Sequence, residues 1–230
     1  MKSKKIRLII IMILLTTVIG VTVFGVSSRV DGIGDLITKK IELSKDKTVA
    51  ATVNGVRIYK SSVDKKLLDY EYSLNTVSNQ SASNANYAVN VTDAKEVKTK
   101  IINQLINDEI KRQQCAKLGV TVSDEEARER MNMEFSALDE QLNSEDVSVR
   151  TNAQGIYDKI EEYKNAAGIT DEEYDAQALE IYRDLLLGNK LYTVALENGL
   201  IDGSEASAHD RFESYIESIK SNYDIVIYEY

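Results

Sequence analysis

The chain has 230 residues, 43% hydrophobic and 28% charged, with one cysteine, one histidine and no proline or tryptophan. That suits one globular domain with a short appendage, and it rules out a multi-histidine metal site and an intramolecular disulfide. Residues 1–30 hold five basic groups and no acid, so the remainder carries 23 basic against 37 acidic groups, a net of −14 unsuited to nucleic acid.

Met1–Arg7 is a basic opening, and Leu8–Val26 is uncharged and almost wholly apolar. At helical rise that stretch reaches about 28 Å, close to the thickness of a bilayer core. It predicts a signal peptide or N-terminal membrane anchor over residues 1–28. Lys2, Lys4, Lys5 and Arg7 would stay in the cytoplasm and the body would lie outside. No good small-residue cleavage site comes after it, which favours retention as an anchor, and no cysteine is present for lipid attachment. Residues 29–47 read as a charged linker, partly helical between Leu36 and Leu43.

Thr48–Asp64, TVAATVNGVRIYKSSVD, reads as strand, turn, strand and helix start. Val49, Ala51 and Val53 alternate with Ala50, Thr52 and Asn54, the period of a half-buried strand. Asn54-Gly55 is a strong hairpin signal, because both central positions of a type I′ turn need positive φ. A helix opening at Ser61 or Ser62 carries Val63, Leu67, Leu68, Tyr70 and Leu74. The Ser/Asn/Ala tract Thr76–Asn90 then predicts a flexible loop over 76–91.

From Thr92 to about Leu118 a helix presents Val97, Ile101, Ile102, Leu105, Ile106 and Ile110 as a broad apolar face, and Gly119 stops it. This should be the central helix. Ser123 and Glu126 make a capping box before the next helix, on which Met131, Phe135, Leu138 and Leu142 share a face while Met133 lies off it. After the polar break Asn143–Asp146 comes a narrow seam: Val149, Ala153, Ile156, Ile160, Tyr163 and Ala167. Gly168 ends that helix, and Thr170 with Glu173 caps another that runs to about Asn198. The tight Gly168-Ile169 connection predicts an antiparallel pairing of these two helices. A last helix carries Phe212, Ile216 and Ile219, and Tyr223–Tyr230 is the only other strand-like stretch, so the two ends of the body should close one small sheet.

No phosphate-binding glycine loop, nucleophile elbow or metal-binding motif occurs in the sequence. Cys115 lies in an amphipathic helix and reads as a buried thiol rather than a nucleophile, and His209 reads as a surface group.

The runs VAATVNGVRIYKSSVDKKL, IINQLINDEIKRQQCAKLGVTVSDEEARERM and RFESYIESIKSNYDIVIYEY resemble the SurA/PrsA class of extracytoplasmic chaperones. The resemblance implies a mainly α fold, in which an initial hairpin and a final strand embrace a helical body. Many members also insert a parvulin prolyl isomerase domain before the final helix. Nothing between Gly119 and Gly203 reads as the small mixed sheet such a domain needs, so the chain is expected to be a non-catalytic chaperone shell without cofactor.

The function this implies is that of an ATP-independent holdase for unfolded or nascent secreted polypeptides, with residues 48–230 as its body and a tether to the membrane. A scaffold dedicated to one envelope partner is the alternative, and a prolyl isomerase the third reading. By resemblance and amphipathicity, Met131, Met133, Phe135, Tyr163 and Tyr174 are the expected client contacts.

Overall fold

A computed structural model describes residues 32–81, 94–201 and 207–228. The N-terminal apolar segment and the cap expected at Thr92 lie outside the described residues, and among these no helix is long and apolar enough to cross a membrane. The described part is mainly helical, with seven helices and three strands.

The hairpin forms as its turn chemistry dictates. Strand β1 (Val49–Val53) and strand β2 (Val56–Tyr59) flank Asn54 at φ 49° and Gly55 at φ 78°. Strand β3 (Ile225–Ile227) pairs antiparallel with the other edge of β1, so the order is β2-β1-β3 and the two ends of the body do close one sheet. Asn54 also ties the turn to distant chain. Its backbone N–H donates to the Asp224 carbonyl at 2.7 Å, its Oδ1 accepts from the Asp224 N–H, and its Nδ2 donates to Gln113 Oε1. Gly55→Ala places a Cβ on a left-handed residue, which costs about 1–2 kcal/mol; a thermal melt should show a loss of a few degrees.

The alternation expected along β1 is broken by a bulge between Val49 and Ala51, which turns Ala50 and Ala51 both inward. Ala50 joins Val63, Tyr70, Val97 and Ile101, whereas Ala51 and Val53 join Ile106 and Ile110. Helix α1 (Ile33–Leu43) and helix α2 (Lys60–Ser81) lie on either side of the hairpin in sequence. Helix α2 continues six residues into the tract expected as loop, which contains no glycine or proline to stop it. Helix α3 (Ala94–Lys117) is central as expected, packing on α2 and β1 and on the later helices, and ends at Gly119 with φ 67°.

Helix α4 (Asp124–Leu142), helix α5 (Val147–Ala167) and helix α6 (Asp171–Glu197) come next, then helix α7 (Ala208–Ile219), a single 3₁₀ turn and β3. The base of the molecule is the cluster in which Leu191 and Ala195 of α6 and Tyr215 and Ile216 of α7 meet Ile106, Ile110 and Cys115 of α3 beneath the sheet.

Two expectations are corrected by packing. Helices α5 and α6 do not form a side-by-side pair: α5 lies against α1 and α4, and α6 against α4 and α3, so they meet only around their junction. A short connection brings helix ends together, but which faces pack is set by where each apolar stripe points. The linker expected over 29–47 is also not a free spacer from Gly32 onward, since Ile33, Leu36 and Ile37 bury one face of α1 against the body.

Candidate functional site

Helices α4 and α5 with the first half of α6 form an arm rising from the base, and its foot is fixed by charge. Ser123 Oγ accepts from the Glu126 N–H and Glu126 Oε2 accepts from the Ser123 N–H at 2.9 Å, the capping box read from the sequence. Glu126 Oε1 also pairs with Lys190 Nζ at 2.6 Å, and Lys190 donates to the Thr121 carbonyl. These bonds, the Lys190 contact first, hold the Glu126 carboxyl below its usual range. Arg183 reaches Asp124 from the same side of α6, so the start of α4 is pinned to α6 by two ion pairs.

Within the arm, Ala127 and Met131 of α4 pack on Ala178, Leu179 and Tyr182 of α6, with Phe135 and Tyr174 at the margin of this cluster. Tyr163 reaches Tyr174 across the helix junction, ring centroids 6.0 Å apart and edge-on, and its hydroxyl donates to Gln177 Oε1. Four of the five expected contact residues therefore converge on one seam. Met131 lies at its floor, 4% exposed, while Phe135, Tyr163 and Tyr174 are half-buried. Met133 is separate, 58% exposed on the outer side of α4, where Glu125, Arg128, Glu129, Ala137 and Glu140 line an open depression of about 890 Å³ with it.

The phenols of the arm stay neutral. Burial, aided by the Glu134 carboxylate, pushes Tyr182 up to about 12, and burial is also the first cause raising Tyr163 and Tyr174. Neutral rings give an amphipathic surface of apolar faces with hydroxyl rims, suited to adaptable contact. Cys115 is buried within the base cluster, and burial raises its thiol above the ordinary value, which removes thiolate character. No group of three or more His, Cys, Asp and Glu that could hold a metal occurs among the described residues.

Sequence reasoning missed an ion pair next to this seam. Lys40 of α1 pairs with Asp69 of α2, both largely covered, and Asp69 is also near enough to Tyr163 to raise it. Burial raises the Asp69 carboxyl above its ordinary value and Lys40 pulls it back. Lys40→Met therefore costs about 1–3 kcal/mol at neutral pH by stranding a covered carboxylate. The sign comes from an acid whose folded value exceeds its unfolded one: the deficit grows as pH climbs through the carboxylate range and is complete above the folded value. Urea unfolding of variant and parent should differ clearly at pH 7 and converge near about pH 3.5, where the carboxyl is largely protonated.

Searches of curated proteins and of solved structures return no match. The family described as SurA-like N-terminal domain matches residues 1–177, from the N-terminal segment into α6. The rest of α6, with α7 and β3, completes the base cluster and the sheet. With more than half of its length matched, the chain belongs to the SurA-like N-terminal domain family.

Proposed function

We propose that the protein is an extracytoplasmic, ATP-independent holdase, tethered by its apolar N-terminal segment, that shelters unfolded segments of secreted or envelope proteins. Family membership suggests a chaperone-like role. The observation that carries the finer reading is the arm, where Phe135, Tyr163 and Tyr174 remain half-buried around a Met131 floor and Met133 stands exposed nearby. Thioether and aromatic side chains repack around varied apolar groups at small cost, which suits unselective capture. The net acidic body keeps such a complex soluble.

The test is suppression of aggregation by the body from Asp31 to Tyr230, at near-stoichiometric ratio, against two or three unrelated unfolded clients. Suppression of all of them supports the holdase; no suppression by a protein folded by circular dichroism favours a scaffold dedicated to one envelope partner. Met133→Asp should weaken suppression several-fold while moving the melting temperature by less than about 2 °C, since an exposed side chain carries little stability. Equal suppression by variant and parent would remove Met133 from the contact surface.

A further inference from the structure

Helix α1 looks less like a structural start than like a ligand already in place. Its apolar face is Ile33, Leu36 and Ile37, each at most 5% exposed, and among the described residues its principal packing partners are only α5 and α2. It approaches α5 closely: a Cβ at Gly34 would lie 3.8 Å from the Ala166 Cβ. Its one largely covered cation, Lys40, sits on Asp69 of α2. Beyond Leu43 it is joined to β1 by residues 44–48, and the Thr48 carbonyl at the end of this connector accepts from the Lys60 N–H, which fixes the hairpin independently of α1. The seat joins the arm to the base, beside Tyr163, whose phenol senses Asp69.

We propose that the groove between α2 and α5 is a second client-binding surface besides the arm, filled in this state by the chain's own α1. The client exchanged for it is a helical segment with apolar side chains at i, i+3 and i+4 and a cation at i+7, the spacing of Ile33, Leu36, Ile37 and Lys40. This rests on the holdase reading and gives it a substrate chemistry. The occupant is specified by α1 itself: the three apolar groups fix the face, and Asp69 requires a positive partner at that depth. Because α1 competes in cis at high effective concentration, only segments that match it well displace it.

A covalent lock tests this in the full chain. The 3.8 Å spacing lies within the Cβ separation of a disulfide, so Gly34→Cys with Ala166→Cys, in a Cys115→Ala background, should oxidise and hold α1 in its seat. The probe is a fluorescent peptide with the sequence of residues 32–45, monitored by anisotropy. In a second variant, Leu36→Asp with Ile37→Asp, α1 is unseated. That variant should take up the peptide at least ten-fold more tightly than the oxidised lock, and reducing the lock should restore at least five-fold of the difference. Should the unseated variant fail to fold, oxidised against reduced lock decides alone.

Peptide binding that is indifferent to the lock overturns the proposal, as does a cysteine pair that will not oxidise. A dimer that disappears under the lock also overturns it, by placing a second copy's α1 in the groove. Client suppression is read on the same samples. Suppression that ignores the lock keeps the holdase and removes the groove, whereas lock-dependent peptide uptake with no suppression of any client removes the holdase and leaves the groove as a seat for one dedicated partner.

Discussion

Leu191→Ala is expected to cost about 3–4 kcal/mol and to lower the melting temperature by about 6–16 °C. Leu191 is fully buried where α6 crosses α3, in one cluster with Ile106, Ile110 and Ile216. Truncation removes the transfer energy of three carbons and leaves a cavity. Ala195, the other fully buried residue of its helix in that cluster, carries only a methyl group and cannot fill it. Leu196 supplies the control: it is on the same helix, 41% exposed, and its replacement by alanine should change stability by no more than about 0.5 kcal/mol. Urea unfolding of both variants distinguishes them, and comparable losses would mean that the base cluster does not bear the weight placed on it.

Leu191 does not stand out in the sequence of α6, which has neighbours on two sides: α4 along its first half and the base along its second. Signals that act within a few residues translated directly into structure. Asn54-Gly55 gave a turn with two positive φ values, Ser123 with Glu126 and Thr170 with Glu173 gave reciprocal capping boxes, and Gly119, Gly168 and Gly199 each adopt left-handed geometry at a helix end. In each case the chemistry is complete within the segment, so no tertiary knowledge is required.

What failed depended on partners far away. The bulge at Val49/Ala51 is set by the need to feed two clusters from one strand, and neither cluster is visible from within β1. The seam of α5 was correctly read as apolar, but its spacing says nothing about whether α6 or α1 covers it. Lys40 and Asp69 look like ordinary surface charges in sequence, and only the docking of α1 makes them a covered pair. For the arm, period alone separated Met131 from Met133, and burial respects that separation: the first is floor and the second is surface. Whether either touches a client depends on a surface property, which periodicity does not encode.

Gln114 is the second position where a large loss is expected, and nothing in the helical pattern marks it. On α3 it is buried among apolar groups, with Nε2 donating to the Tyr215 hydroxyl at 2.8 Å and Oε1 accepting from the Tyr223 hydroxyl at 2.9 Å. One amide therefore fastens the central helix to α7 and to the chain just before β3. Gln114→Leu keeps the volume and removes both partners, stranding a buried Tyr215 hydroxyl and a half-buried Tyr223 hydroxyl that can still reach water. The expected cost is about 2–3 kcal/mol, most of it from Tyr215.

Coupling identifies the cause. In the Gln114→Leu background, Tyr215→Phe should recover about 1–2 kcal/mol, because the hydroxyl it removes is by then a liability, while in the parent the same change costs about 1 kcal/mol. Additive losses in that cycle would show the amide to be mere filler. Alkaline pH adds a second reading of the same groups. Burial raises Tyr215 above the ordinary value against the opposing Gln114 hydrogen bond, and burial followed by Tyr215 raises Tyr223, as burial with Glu134 raises Tyr182 to about 12. An acid held protonated by the fold costs stability once the unfolded chain ionises, so parent stability should fall from about pH 10 upward. Tyr215→Phe removes one of those groups and should flatten the fall, measured as the pH dependence of the urea midpoint; an unchanged slope would place the alkaline loss elsewhere.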